Sequence, residues 1–181
     1  MLTAVGLGPG DAELLTLKAV RLLQEADTVF VPGGIASDLV KLYCENIVTL
    51  DFPMTRDEAE ISRCMEENAE KILPAAKNGS AVFGLIGDPN YYSTFSRLAE
   101  AVRRLDSSVV VETIPGISSI TAVASHAKIP VNGAFLVTDG PAEPTTKIVM
   151  KVTRPQEKKA ELEAEGYTDF TVVERMYMEG E

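Results

Sequence analysis

Hydrophobic residues along this chain follow two alternating patterns. Short, mainly apolar stretches predict strands over residues 2–7, 28–31, 47–50, 81–86 and 109–113. The continuous apolar run over 81–86 suits a strand buried on both faces of a parallel sheet. Between them apolar positions recur at helical spacing, as at Leu17, Val20, Leu22, Leu23 and Ala26. The spacing predicts helices over 16–26, 38–44, about 55–77, 93–105 and 118–127. Turn residues punctuate the pattern at Gly8-Pro9-Gly10, Pro32-Gly33-Gly34, Asn78-Gly79, Gly87-Asp88-Pro89 and Pro115-Gly116. Thr55 and Glu58 stand at capping-box spacing, so Thr55 is expected to cap the long third helix. Strand following helix in this order argues for an open α/β sheet.

After Pro130 the pattern changes. Strands are expected over 134–138, 147–152 and 170–174, with one helix over 156–165 and a loop marked by Pro141 and Pro144. The chain therefore divides into an α/β domain over 1–129 and a smaller mixed α/β domain over 130–181.

Composition narrows the function classes. The 181 residues carry 17 Lys and Arg against 27 Asp and Glu, a formal charge of −10. That charge repels nucleic acid and anionic membranes. Basic residues cluster no further than pairs such as Arg103-Arg104 and Lys158-Lys159, so no nucleic-acid partner is expected. No apolar run approaches the roughly 18 residues needed to span a bilayer. The start lacks a basic stretch followed by an apolar one, so the expectation is a cytoplasmic protein with no membrane partner. Cys44 and Cys64 form no Cys-x-x-Cys pair, which argues for buried free thiols and against a structural metal site.

Gly6-Leu7-Gly8-Pro9-Gly10 follows the first strand, where a dinucleotide-binding loop would lie. The spacing fails that fingerprint, because Asp11 stands where the third glycine belongs. Pro9 has no N–H to aim at a pyrophosphate, and Asp11 would add negative charge beside it. Asp27 falls in the turn before the second strand, away from a ribose position.

Three blocks in order carry a resemblance. They are Val5-Gly-Leu-Gly-Pro-Gly-Asp11 with the helix after it, Gly87-Asp88-Pro89, and Ile114-Pro-Gly-Ile-Ser-Ser119 followed by Ala127-Lys-Ile-Pro-Val131. Together they resemble the tetrapyrrole methylases. Two further stretches, Asp51-Phe-Pro-Met-Thr55 and Tyr91-Tyr-Ser-Thr-Phe95, are similar to the branch that methylates C20 of precorrin-2 or cobalt-factor-2. Family members usually have a longer second domain, so this one reads as shortened.

The resemblance implies the two-domain methylase fold, with a mainly parallel open sheet followed by the smaller domain. It implies S-adenosyl-L-methionine as methyl donor, a tetrapyrrole substrate in corrin biosynthesis, and a homodimer. Pro9, Gly87, Asp88, Tyr91, Ser118, Ser119 and Lys151 fall at cofactor positions of the family, with Lys151 contributing backbone. Tyr92, Ser93 and Thr94 fall toward the substrate. Arg56, Arg97 and Lys128 are candidates to offset substrate carboxylates. No catalytic residue is singled out. Methyl transfer from a sulfonium is an in-line displacement that depends mainly on positioning. Other corrin-ring methylases, such as the cobalt-precorrin-7 C5 enzyme, and a non-catalytic binding homologue remain as alternatives.

Overall fold

The computed structural model describes residues 1–133, 135–138, 147–149 and 152–174. The chain forms two compact units, Met1–Ser119 and a second that starts at Ile120.

In the first unit, strands β1 (Leu2–Gly6), β2 (Thr28–Val31), β3 (Ile47–Thr49), β4 (Ala81–Leu85) and β5 (Val111–Ile114) make one sheet. Every pairing is parallel, in the order β3-β2-β4-β1-β5. β1 and β4 are buried along their whole length, β4 with an unbroken apolar run and β1 with Thr3 as its one polar residue. The connecting helices are α1 (Leu17–Glu25), α2 (Gly34–Val40), α3 (Glu58–Asn78) and α4 (Phe95–Leu105).

Side-chain alternation along the strands assigns each helix to a face. Val5, Val29, Val31 and Val82 pack with Ala19 and Leu23 of α1 and with Leu39 and Val40 of α2. Leu2, Ala4, Phe30, Phe83 and Leu85 pack with Ile72 of α3 and Leu98 of α4. On this second face Phe83 stacks on Phe95, with ring centroids 5.8 Å apart and planes 18° apart.

The order has one consequence for the site. β1 and β4 are neighbours, yet β1 leaves through α1 on one face and β4 leaves through α4 on the other. Neighbouring strands that diverge to opposite faces open a crevice beyond their carboxyl ends.

Several sequence expectations are corrected. The second helix starts at Gly34 rather than 38 and ends at Val40. Gly33, at φ 82°, turns the chain straight from β2 into the helix, and Ala36, Leu39 and Val40 supply its buried stripe. The cap of α3 is Asp57, not Thr55. Its carboxylate accepts from the N–H groups of Ala59 at 2.9 Å and Glu60 at 3.3 Å. Thr55 instead accepts from the N–H of Asp57 at 3.1 Å, and Glu58 pairs with Arg97. A carboxylate two residues closer to the helix outcompetes the hydroxyl for the free N–H groups. Pro74 lies within α3 on its exposed side, so the helical carbonyl it leaves unpaired faces water.

α5 (Ser119–His126) carries the chain into the second unit, which holds the parallel strands β6 (Leu136–Thr138) and β7 (Lys147–Val149) and α6 (Pro155–Ala164). The expected strand over 170–174 does not form. Val172 within it is exposed. Among the described residues no helix is long and apolar enough to cross a membrane.

Candidate ligand site at the carboxyl ends of the strands

The three loops singled out in the sequence leave the carboxyl ends of β1, β4 and β5, which lie side by side as β4-β1-β5. They meet at close quarters. Leu7 N–H donates to the Leu85 carbonyl at 2.8 Å, and Gly87 N–H donates to the Gly8 carbonyl at 2.7 Å. The chain after β1 is thus stitched to the chain after β4.

Glycine is demanded here by backbone contact. A Cβ on Gly116 would lie 2.2 Å from the Gly87 carbonyl oxygen and 2.7 Å from Gly6 Cα. A Cβ on Gly6 would lie 2.5 Å from Gly116 Cα. Gly87 differs from both. It adopts φ +80°, and a Cβ there would meet nothing within 4 Å among the described residues. Its bare Cα therefore borders open space at the crossing of the three loops.

Asp88 completes the arrangement. It is only 7% exposed. One carboxylate oxygen accepts from Asn90 N–H at 2.8 Å, and the other accepts from Gly116 N–H at 3.1 Å. Asn90 reaches β5 itself through its side chain, which donates to the Thr113 hydroxyl at 3.2 Å. The loop after β4 thus holds β5 at Thr113 and the loop after β5 at Gly116, across the end of β1.

The other expected residues lie as follows. Pro9 is buried within the loop after β1. Tyr91 and Tyr92 are exposed on the turn leading to α4, and Tyr92 has φ +52°. That backbone region is unfavourable for a bulky side chain and marks a strained turn. Tyr92 and half-buried Ser93 border a cavity of about 490 Å³ between α4 and β5. Thr94 is exposed at the start of α4 and makes no capping bond. Ser118 and Ser119 close the first unit, directly after the loop that carries Gly116. Lys151 lies outside the described residues.

Sequence reasoning missed Asn90 and Thr113 as partners, and it did not single out Gly116 as a contact of Asp88. An Asn two positions after a turn-forming Asp was the available signal.

Two residues belong elsewhere. Asp27 sits at the opposite, amino end of the sheet, where its carboxylate accepts from Ser80 N–H at 2.8 Å. Cys64 donates to the Asp51 carbonyl at 2.9 Å, and burial pushes its thiol pKa up, so it is a packed thiol rather than a nucleophile.

A parallel sheet with a switch point, and with glycine-bearing loops crossing beyond it, defines the class of open α/β proteins whose crevice lies at the carboxyl ends of the strands. Within that class, the chain belongs to the tetrapyrrole (corrin/porphyrin) methylases, whose family model matches residues 1–181. It is 40% identical over 134 residues to the "Probable cobalt-precorrin-2 C(20)-methyltransferase" of Methanocaldococcus jannaschii, covering 70% of this chain and 56% of that one. It is 37% identical over 128 residues to the chloroplastic S-adenosyl-L-methionine-dependent uroporphyrinogen III methyltransferase of Arabidopsis thaliana, covering 70% and 33%. Among solved structures, the cobalamin biosynthetic enzyme cobalt precorrin-4 methyltransferase, CbiF, superposes with a TM-score of 0.61 at 25% identity, covering 80% of this chain and 60% of that one. The chain thus spans less than two thirds of the length of each of these relatives.

Proposed function

We propose that this chain acts in S-adenosyl-L-methionine-dependent methylation of a corrin precursor, at C20 of precorrin-2 or cobalt-factor-2. The observation that carries this reading is the crossing of the three glycine loops at the switch point, with an open side at Gly87. The C20 position is favoured by the 40% identity to the Methanocaldococcus relative named for it.

The residues fit the donor. An extended small molecule with an amino-acid end and an adenosine end, both rich in hydrogen-bonding groups, needs exposed backbone and room to lie against it. Gly87 supplies both, since nothing among the described residues stands within 4 Å of where its Cβ would be. When bound, S-adenosyl-L-methionine supplies a methyl group already activated on a sulfonium, so the protein need provide no nucleophile. In this reading the backbone at Gly87 lies along the methionine portion, and Pro9 gives the loop after β1 a rigid apolar wall. Asp88 holds the loops in place from behind. Tyr91, Ser118, Ser119 and the backbone of Lys151 complete the donor site. Tyr92, Ser93 and Thr94 face the tetrapyrrole. The work of these residues is to hold donor and acceptor in line and to keep water away. A homodimer in the cytoplasm completes the proposal.

A second reading is methylation at another corrin carbon, favoured by the 0.61 TM-score to cobalt precorrin-4 methyltransferase. Two measurements test the proposal. Calorimetry with S-adenosylhomocysteine should show binding at micromolar concentration, and no binding sinks both readings. Mass spectrometry and NMR of the product from precorrin-2 should show one new methyl at C20, and a methyl elsewhere selects the second reading.

A further inference from the structure

The cavity of about 490 Å³ beside α4 has a pattern of unused donors. Its floor is apolar, with Phe95, Ala99 and Val111. Around it stand Ser93, Thr113 and Arg103. Two of these polar groups are already engaged, but only as acceptors. Ser93 Oγ accepts from Phe95 N–H at 3.0 Å, and Thr113 Oγ1 accepts from Asn90 at 3.2 Å. Each hydroxyl therefore keeps its own proton to donate.

Arg103 is the charged member. Helix α4 carries three arginines. Arg97 is bonded to Glu58 at 2.7 Å, and Arg104 is paired with Glu66 at 3.5 Å. Arg103 has no ion-pair partner among the described residues, and it is the one that borders the cavity. Glu100 also borders the cavity, one turn away, without pairing to it. A small free anion therefore gains little net charge there. A carboxylate held in place by other contacts gains the two-pronged bond that only a guanidinium offers.

The remaining feature is Tyr92, which borders the cavity in a strained backbone conformation at φ +52°. Tyr92 is exposed and stands beside the donors of the cavity.

We propose that this cavity takes a carboxylate-bearing edge of the tetrapyrrole, with Arg103 as its charged contact and the Ser93 and Thr113 hydroxyls as further donors. The inference rests on the methylase reading and extends it to the substrate's rim. It also places a cation for a polyanionic substrate on a protein of net charge −10.

The test uses uroporphyrin, a stable porphyrin octacarboxylate, titrated by fluorescence, with S-adenosylhomocysteine titrated by calorimetry in parallel. Arg103→Gln should weaken uroporphyrin binding about tenfold or more and leave S-adenosylhomocysteine binding unchanged. Arg103→Lys should recover part of the loss, and Arg104→Gln should match wild type. Uroporphyrin affinity equal to wild type in Arg103→Gln overturns the cavity assignment alone. So does wild type that binds S-adenosylhomocysteine but not uroporphyrin. Wild type that binds neither ligand overturns the methylase reading itself.

Discussion

The Asp88 carboxylate accepts the backbone N–H of Gly116 at 3.1 Å, although β4 and β5 are not hydrogen-bonded neighbours. The bond passes over the end of β1 and ties the second family loop to the third. Asp88→Ala leaves two backbone donors without their acceptor, at Asn90 and Gly116. Urea denaturation should show a loss of about 1–3 kcal/mol. S-adenosylhomocysteine affinity should fall at the same time, and Asp88→Asn, which keeps one acceptor oxygen, should lie between. An affinity unchanged by Asp88→Ala would remove Asp88 from the site.

The glycines of the crossing should separate by experiment. Gly116→Ala drives a Cβ to 2.2 Å from the Gly87 carbonyl oxygen, a backbone atom that cannot swing aside. A cost of about 3 kcal/mol or more is expected, seen as a large drop in Tm or a failure to fold. Gly87→Ala meets no atom within 4 Å and bears only the positive φ, about 1–2 kcal/mol. That variant should fold and yet bind S-adenosylhomocysteine at least about tenfold more weakly, since the methyl occupies the ligand's side. Equal affinity in a folded Gly87→Ala protein would contradict the placement of the donor.

The start of α3 offers a direct comparison of caps. Asp57→Ala should destabilise by about 1 kcal/mol, because two helix N–H groups lose their acceptor. Thr55→Ala should cost only a few tenths of that, as its hydroxyl serves a turn ahead of the helix. Reversed magnitudes in denaturant titrations would restore Thr55 as the cap.

Asp106 should contribute a pH-dependent step to stability. A side-chain hydrogen bond from Lys77, 2.6 Å away, and bonds from Ser108 hold its carboxyl well below the usual carboxylate range. A depressed pKa in the folded state means that the unfolded chain binds more protons in the interval. Stability from this group is complete above the unfolded value near 3.8 and is lost as pH falls from there toward the folded value. Asp106→Asn should therefore flatten the fall of Tm below about pH 4. A wild-type slope retained in Asp106→Asn would assign the acid sensitivity to other groups.

The strands of the first unit were legible because their signal is local. A run such as that of β4 has no solvated face, and only burial on both sides suits it. β2 matches its apolar run residue for residue, ended by Pro32. The loop motifs were legible for the same reason, since each is a contiguous string after a strand. Element ends were less so. α2 begins four residues before its expected start, and α3 takes Asp57 over Thr55, because neighbouring acceptors compete for the same N–H groups and geometry decides among them.

By itself, then, the sequence determined an α/β chain, the position of its parallel strands, and three glycine-bearing loops that mark it as a tetrapyrrole methylase. Only the tertiary structure decided what those loops touch. The order β3-β2-β4-β1-β5 brings Gly6, Gly87 and Gly116 together from positions far apart in the chain. It also turns Asp88 inward onto Gly116, and it leaves Arg103 alone among the arginines of α4 facing a cavity without an acid partner among the described residues. The reason is physical: hydrophobic period is a property of neighbouring residues, whereas strand pairing, backbone contact and ion pairing are settled between segments that meet only when the sheet closes.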